Sequence, residues 1–225
     1  MNNLEKLDNI LLSDNVVEEF NTEYLNPQFK TWLLEILPEI EDCLNLKQDH
    51  PWHIYNCLNH LLHSVKNINS QTKHLPYNIR RMLSYVMFLH DIGKPAVAYY
   101  HYSKKYGRKV ESFTNHNIKS TEIASRVLHN FNFNNSEIKI IKQLIFKHDI
   151  FMFIKLVDTH NKFHKLLSKK VLEDEIADLN KVGNGKELLG YLIMVGRADS
   201  LSQNLDLSSE TLKLHDKMEE MLNNI

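Results

Sequence analysis

Apolar residues return every three or four positions through most of this 225-residue chain. That repeat builds a stripe along a helix, whereas a strand needs a repeat of two. One stripe runs from Gln28 to Leu46 through Trp32, Leu33, Ile36, Leu37, Ile40 and Leu44, with Pro38 placed to kink or split it. A second is expected to open at Pro51, a favourable first-turn residue, and to carry Ile54, Leu58, Leu61, Leu62 and Val65. A third covers Tyr77 to Ile92 through Ile79, Met82, Leu83, Val86 and Leu89. Two more follow, Ile118 to Phe131 and Ile138 to His148, and Glu187 to Gln203 closes the set. The spacing therefore predicts an all-α helical bundle.

One stretch departs from this pattern. Between Pro95 and Asn115, SKKYGRK reads as a turn between two short extended pieces, AVAYYHY and VESF, so a small hairpin-like excursion is expected there. No internal repeat or sharp shift of composition divides the rest. The expected organisation is a polar N-terminal segment, 1–27, that frays or forms a short separate helix, followed by a single helical domain, 28–225.

Composition removes several classes of function. Lys and Arg (27) nearly balance Asp and Glu (28), so no global charge marks a nucleic acid or an acidic membrane as the main partner. The two cysteines, Cys43 and Cys57, are too few for a disulfide framework or a Cys-rich zinc site and are read as small core thiols. The start, MNNLEKLDNI, lacks the basic-then-apolar pattern of a signal peptide, and no apolar run approaches the ~20 residues of a membrane span. A cytoplasmic protein without membrane contact is expected. The composition is unusual in its thirteen histidines.

Polar residues break the apolar stripes at three places. His90 lies four residues after Val86 and seven after Leu83, on the inward face, and Asp91 stands about 100° round the helix from it. Asp199 falls four residues after Val195 and seven after Leu192, again on the stripe. A buried carboxylate without a partner costs several kcal/mol, so it calls for a cation. His53 is expected in the first turn of its helix, beside Trp52 and near His50. Singly, each has a structural explanation: a hydrogen-bonded core histidine, or an aspartate capping a helix. Together, two imidazoles and two carboxylates on three helices make an N2O2 set suited to Mn, Fe, Co, Ni, Zn or Mg.

The order H…HD…D, with the HD doublet closing an apolar helix and running into IGKP, resembles the HD-domain metal-dependent phosphohydrolases. ILPEIEDCLNLKQDHPWHIYNCLNHLLHSV, LHDIGKP, YGRKVESFTNHNIKSTEIASRVL and RADSLSQN are similar to the HD region of bacterial tRNA nucleotidyltransferases, over roughly residues 35 to 205. The resemblance implies an HD-type bundle in which His53, His90, Asp91 and Asp199 hold a divalent metal ion, with Asp91 catalytic. It also implies that Lys94 faces a substrate phosphate, in a catalytic and substrate-binding role. The nucleotidyltransferase head of those enzymes has no counterpart ahead of residue 35, so addition of CCA to tRNA is not implied. Ile54 also stands where these relatives commonly carry Thr.

Two further histidines follow the doublet. His116 opens a predicted helix, where the dipole disfavours the protonated ring and suits a neutral ligand. His148 lies four residues after Leu144 and seven after Ile141, on the inward face. Some HD phosphohydrolases bind two metals through such a pair, with the doublet aspartate bridging. By that resemblance His116 and His148 hold a second ion or contact substrate. His60 and His63, at i and i+3, have no evident further ligands and are read as structural or surface residues.

The expected activity is metal-dependent hydrolysis of a nucleotide-like phosphomonoester or phosphodiester, including a 2′,3′-cyclic phosphate. Partners would be a phosphorylated small molecule or nucleotide, and also RNA. Lys104, Lys105, Arg108 and Lys109 stand among Tyr99, Tyr100, Tyr102 and Tyr106 in the excursion; cations suit phosphates and rings suit bases. A solvated loop has the same composition. The competing functional class is a non-catalytic HD module that binds a nucleotide or RNA. An HD-fold di-iron oxygenase is a third, disfavoured by HDIGKP and the basic excursion.

Overall fold

Asparagines set the starts of the helices. The side chains of Asn2, Asn26, Asn56, Asn134, Asn184 and Asn204 each accept a hydrogen bond from an amide of the following first turn. Each such cap is worth about 1 kcal/mol over alanine. The structure, a computed structural model, describes residues 1–225. In chain order the helices are α1 (Asn3–Leu11), α2 (Val16–Tyr24), α3 (Pro27–Ile36), α4 (Glu39–Asn45), α5 (Cys57–Thr72), α6 (Tyr77–Leu89) and α7 (Lys94–Val97). After the hairpin come α8 (His116–Val127), α9 (Asn135–Lys147), α10 (Lys169–Leu179), α11 (Gly185–Leu201) and α12 (Leu205–Asn223).

The fold is all-α. Helices α5, α6, α9 and α11 pack on one another at the centre, and α12 lies along α11. A single apolar cluster of 49 residues extends from Leu7 to Leu222, so nearly the whole chain shares one core. Pro38 divides the first predicted helix into α3 and α4 as expected.

Three expectations change. The second predicted helix starts at Cys57 rather than Pro51, because Asn56 caps it by accepting from the Asn59 amide at 2.8 Å. His53 therefore sits in an irregular turn before the helix, and Ile54, expected on the apolar stripe, is exposed. The segment 1–27 is not a detached polar piece. Leu7, Leu11, Val16 and Phe20 are fully buried in the common core, and Asp8 takes the Tyr85 hydroxyl at 2.8 Å and Arg81 at 2.9 Å. Beyond Gln203 the chain continues as α12, whose Leu214, Met218 and Leu222 complete the stripe against α11.

The excursion is a hairpin. Strands β1 (Tyr99–Ser103) and β2 (Arg108–Ser112) pair antiparallel from Tyr99↔Ser112 to Ser103↔Arg108. Gly107, at φ 64°, supplies the left-handed residue that closes the turn. The hairpin leans on the turn before α5: the Glu111 amide donates to the Asp49 carbonyl, and the Asp49 amide donates to the Glu111 carboxylate, both at 2.9 Å.

Candidate metal centre

The site forms where helix ends meet. His60 is one turn into α5, His90 caps the C-terminus of α6 with Asp91 directly after it, and Asp199 lies in the last turn of α11. His116 is the first residue of α8, and His148 caps the C-terminus of α9. Carbonyls in the last turn of a helix lack an i+4 amide within the helix, so they can take a side-chain donor. The Nδ1 of His90 lies 2.7 Å from the Met87 carbonyl, and that of His148 2.6 Å from the Ile145 carbonyl. His116 Nδ1 meets the Phe113 carbonyl at 2.8 Å, and His60 Nδ1 the Ser202 carbonyl at 3.2 Å. A carbonyl only accepts, so each Nδ1 carries the proton. In the neutral ring Nε2 is then left with its lone pair.

All four Nε2 atoms turn toward Asp91. Its Oδ2 is 3.2 Å from His60 Nε2 and 3.4 Å from His90 Nε2, while its Oδ1 is 3.1 Å from His116 Nε2 and 3.5 Å from His148 Nε2. Asp199 Oδ1 closes the first group, 3.0 Å from His60 Nε2 and 3.6 Å from His90 Nε2. Two groups that could each hold a metal ion result, sharing one carboxylate: His60, His90, Asp91 and Asp199, and Asp91, His116 and His148.

These residues fit a cation. His60 Nε2, His90 Nε2 and Asp91 Oδ1 are buried and none makes a hydrogen bond, although oxygens and nitrogens stand close by. Buried polar atoms without partners are expensive. Three such atoms left without hydrogen bonds amid close oxygens and nitrogens suit a shared positive centre. Two imidazoles with one or two carboxylates favour a borderline divalent metal.

Opposite charges face one another within the cluster. Burial opposes ionisation of Asp91, but the charge of Lys94 and the His90 ring hold its carboxyl well below the usual range. Asp199 is likewise held low, against burial, by His60 and His90. Burial also opposes charging of His60 and His148, yet Asp199 and Asp91 push His60 up to about 9, and Asp91 with Asp149 pushes His148 up to about 9. A divalent ion reverses this preference, since it binds only the deprotonated nitrogen.

Lys94 is almost fully buried, with its Nζ 2.5 Å from Asp91 Oδ2 and 2.9 Å from Gln48 Oε1, which accepts from it. Its ammonium also lies 5.2 Å from the centre of the Phe113 ring. Behind the doublet, the Cys57 thiol is 3.6 Å from the Asp91 carbonyl and the Cys43 thiol 3.8 Å from that of Ile92. Gly93 lets α8 approach: a Cβ there would stand 2.5 Å from the Ser120 amide nitrogen. The Gly93 amide instead donates to Ser120 Oγ at 2.9 Å.

Of the residues singled out in the sequence, His90, Asp91, Asp199, His116, His148 and Lys94 come together. His53 does not join them. The fourth member of its set is His60, read from sequence as structural or surface; His53 packs beside it with ring centres 5.8 Å apart. The missed signal was the buried stripe of α5, on which His60 lies among Cys57, Leu61, Ser64 and Ile68. Lys104, Lys105 and Lys109 are exposed on the hairpin, outside the cluster, and Arg108 is bound to Asp49 at 2.8 Å. No helix is long and apolar enough to cross a membrane. No family model matches the chain, and no curated protein is similar enough to stand as a relative.

Proposed function

We propose that this chain is a metal-dependent phosphohydrolase of the HD type, acting on a nucleotide-like phosphomonoester or phosphodiester. The observation that carries this reading is the position of Asp91, whose two carboxylate oxygens each face a pair of imidazole Nε2 atoms. His60, His90, Asp91 and Asp199 would hold one divalent ion, and Asp91, His116 and His148 a second. Such ions supply a water acidified enough to attack phosphorus and neutralise charge on the phosphoryl oxygens.

The chain's own residues divide the remaining tasks. Lys94 is a buried cation on the Oδ2 side of Asp91 and would meet a phosphoryl oxygen as a point charge. The four Nδ1–carbonyl bonds keep the rings aimed and fix their tautomers. The hairpin adds exposed Tyr99, Tyr100 and Tyr102 with Lys104, Lys105 and Lys109, a surface that suits the base and outer phosphates of a nucleotide.

The test is elemental analysis of the purified chain, followed by a screen of phosphate mono- and diesters with Mn, Fe, Co, Ni, Zn and Mg. Bound metal together with ester hydrolysis that fails in Asp91→Ala supports the proposal. A chain that takes up none of these ions overturns it, and one that binds metal but hydrolyses no ester becomes a binding module.

A further inference from the structure

His53 differs from every other imidazole around the cluster. The rings of His60, His90, His116 and His148 are each tied at Nδ1 to a main-chain carbonyl. His53 Nδ1 is buried and has no partner. Its main chain, in contrast, is held firmly. The His53 amide donates to the His50 carbonyl at 3.0 Å, and the Asn204 amide donates to the Trp52 carbonyl at 2.8 Å. On the other side, the hairpin grips Asp49 through Glu111 and Arg108. A fixed backbone thus presents a ring that no protein hydrogen bond orients.

The ring also stands in a telling place. Its centre is 5.8 Å from that of His60 and 5.9 Å from that of Phe113, the ring that Lys94 Nζ approaches at 5.2 Å. His53 and Lys94 therefore both stand beside the Phe113 ring, and Lys94 meets Asp91 through Oδ2, the oxygen that also faces His60. An unanchored imidazole makes a poor metal ligand, since ligand rings need a second bond to set their direction. It makes a good contact for a group that arrives from solution with its own oxygen acceptors, because an imidazole with a nitrogen lacking any partner gains a bond when its N–H meets one.

We propose that His53 is a substrate contact that donates a hydrogen bond to a phosphoryl oxygen, beside the Phe113 ring that Lys94 also approaches. This rests on the metal-dependent phosphohydrolase reading and deepens it, by assigning the His60 side of the centre as the phosphate seat.

The experiment uses the full chain loaded with metal and inorganic phosphate as the probe. Metal content is measured by elemental analysis and phosphate affinity by calorimetry, in wild type, His53→Ala and His53→Asn. The expected result is unchanged metal content in both variants, phosphate affinity about tenfold weaker in His53→Ala, and partial recovery in His53→Asn, whose amide can still donate. A fall in metal content would make His53 a ligand and overturn the assignment. Equal phosphate affinity in wild type and both variants would overturn it too, leaving the metal centre intact. A wild-type chain that binds metal but no phosphate also refutes the seat, and one that binds no metal refutes the underlying function as well. Melting temperatures of the metal-free proteins separate loss of the contact from loss of fold. If His53→Ala is unfolded, His53→Asn alone decides, with equal affinity counting against the proposal.

Discussion

His116 and His148 meet nitrogen to nitrogen, with their Nε2 atoms 3.1 Å apart. Each Nδ1 already donates to a carbonyl, so two neutral rings would set two lone pairs against each other. A proton shared between them resolves the conflict, and so does a cation held by both. Two nitrogens on one tetrahedral ion lie roughly 3.3 Å apart, which is close to the spacing here. The expected stoichiometry is two ions per chain in wild type and one in the double variant His116→Ala, His148→Ala, read by elemental analysis after dialysis. A ratio of one in both proteins would return the pair to a proton-sharing or substrate role.

Gly93 offers a test of the same half-site from a distance. Its φ of −83° is ordinary, so backbone freedom is not the reason for a glycine. The reason is space, because an added Cβ would meet main-chain atoms of Lys119 and Ser120 at 2.5 to 2.8 Å. Gly93→Ala must push α8 away, and His116 opens that helix. Loss of the second ion with retention of the first is the expected outcome, accompanied by about 1–3 kcal/mol of destabilisation from overpacking. Full occupancy of both sites would show that α8 moves without disturbing His116.

Lys94 places a positive charge against the carboxylate that both ligand sets share. Replacing it by the apolar, unbranched Met removes a repulsion felt by any ion on Asp91. Lys94→Met is therefore expected to bind metal as tightly as wild type or more so, while ester hydrolysis falls at least about tenfold for want of a phosphate contact. The two readouts are metal titration and initial rates at saturating metal. Loss of metal in this variant would assign Lys94 a structural role.

His215 lies fully buried in α12, edge-on to Phe151 at 4.6 Å, with neither ring nitrogen bonded. Burial, assisted by the charge of Arg197, lowers its pKa to about 3. The unfolded chain protonates this ring near pH 6.5, well before the folded one does. Its contribution to stability is therefore complete above that pH and is lost on acidification toward 3, with a slope of up to about 1.4 kcal/mol per pH unit. Urea unfolding at pH 7, 6 and 5 should show wild type weakening more steeply than His215→Leu, and the difference between the proteins cancels the titration of the His/Asp cluster. Parallel slopes would mean that the ring finds a proton acceptor in the fold.

Much of this arrangement can be read from the sequence, because burial follows from periodicity. His90, His148 and Asp199 each fall on an apolar stripe where a polar residue needs a reason, Asp91 stands next to His90, and all four reach the cluster. The exchange of His53 for His60 arose from a helix boundary. Pro51 is a plausible first-turn residue, yet Asn56 supplies the cap that forms, and a start six residues later turns a different histidine inward. The helices of segment 1–27 are legible as helices, since Leu4, Leu7, Leu11 and Val16, Phe20, Tyr24 recur at helical spacing, but their place in the common core is not. Leu7, Leu11 and Phe20 become core only against α5 and α6, a tertiary fact that local composition does not carry.

The carbonyls that steer the four imidazoles belong to Met87, Phe113, Ile145 and Ser202. Every residue type owns a carbonyl, so exchanging any of these side chains leaves the acceptor unchanged. Point substitution is then nearly silent for the aim of the rings. Three of the four carbonyls lie three residues before their histidine, a separation measured along the chain itself. Insertion or deletion of one residue between Met87 and His90, Phe113 and His116, or Ile145 and His148 would detach the ring from its guide. Over descent, this centre should tolerate wide drift in spelling at those positions and almost none in spacing.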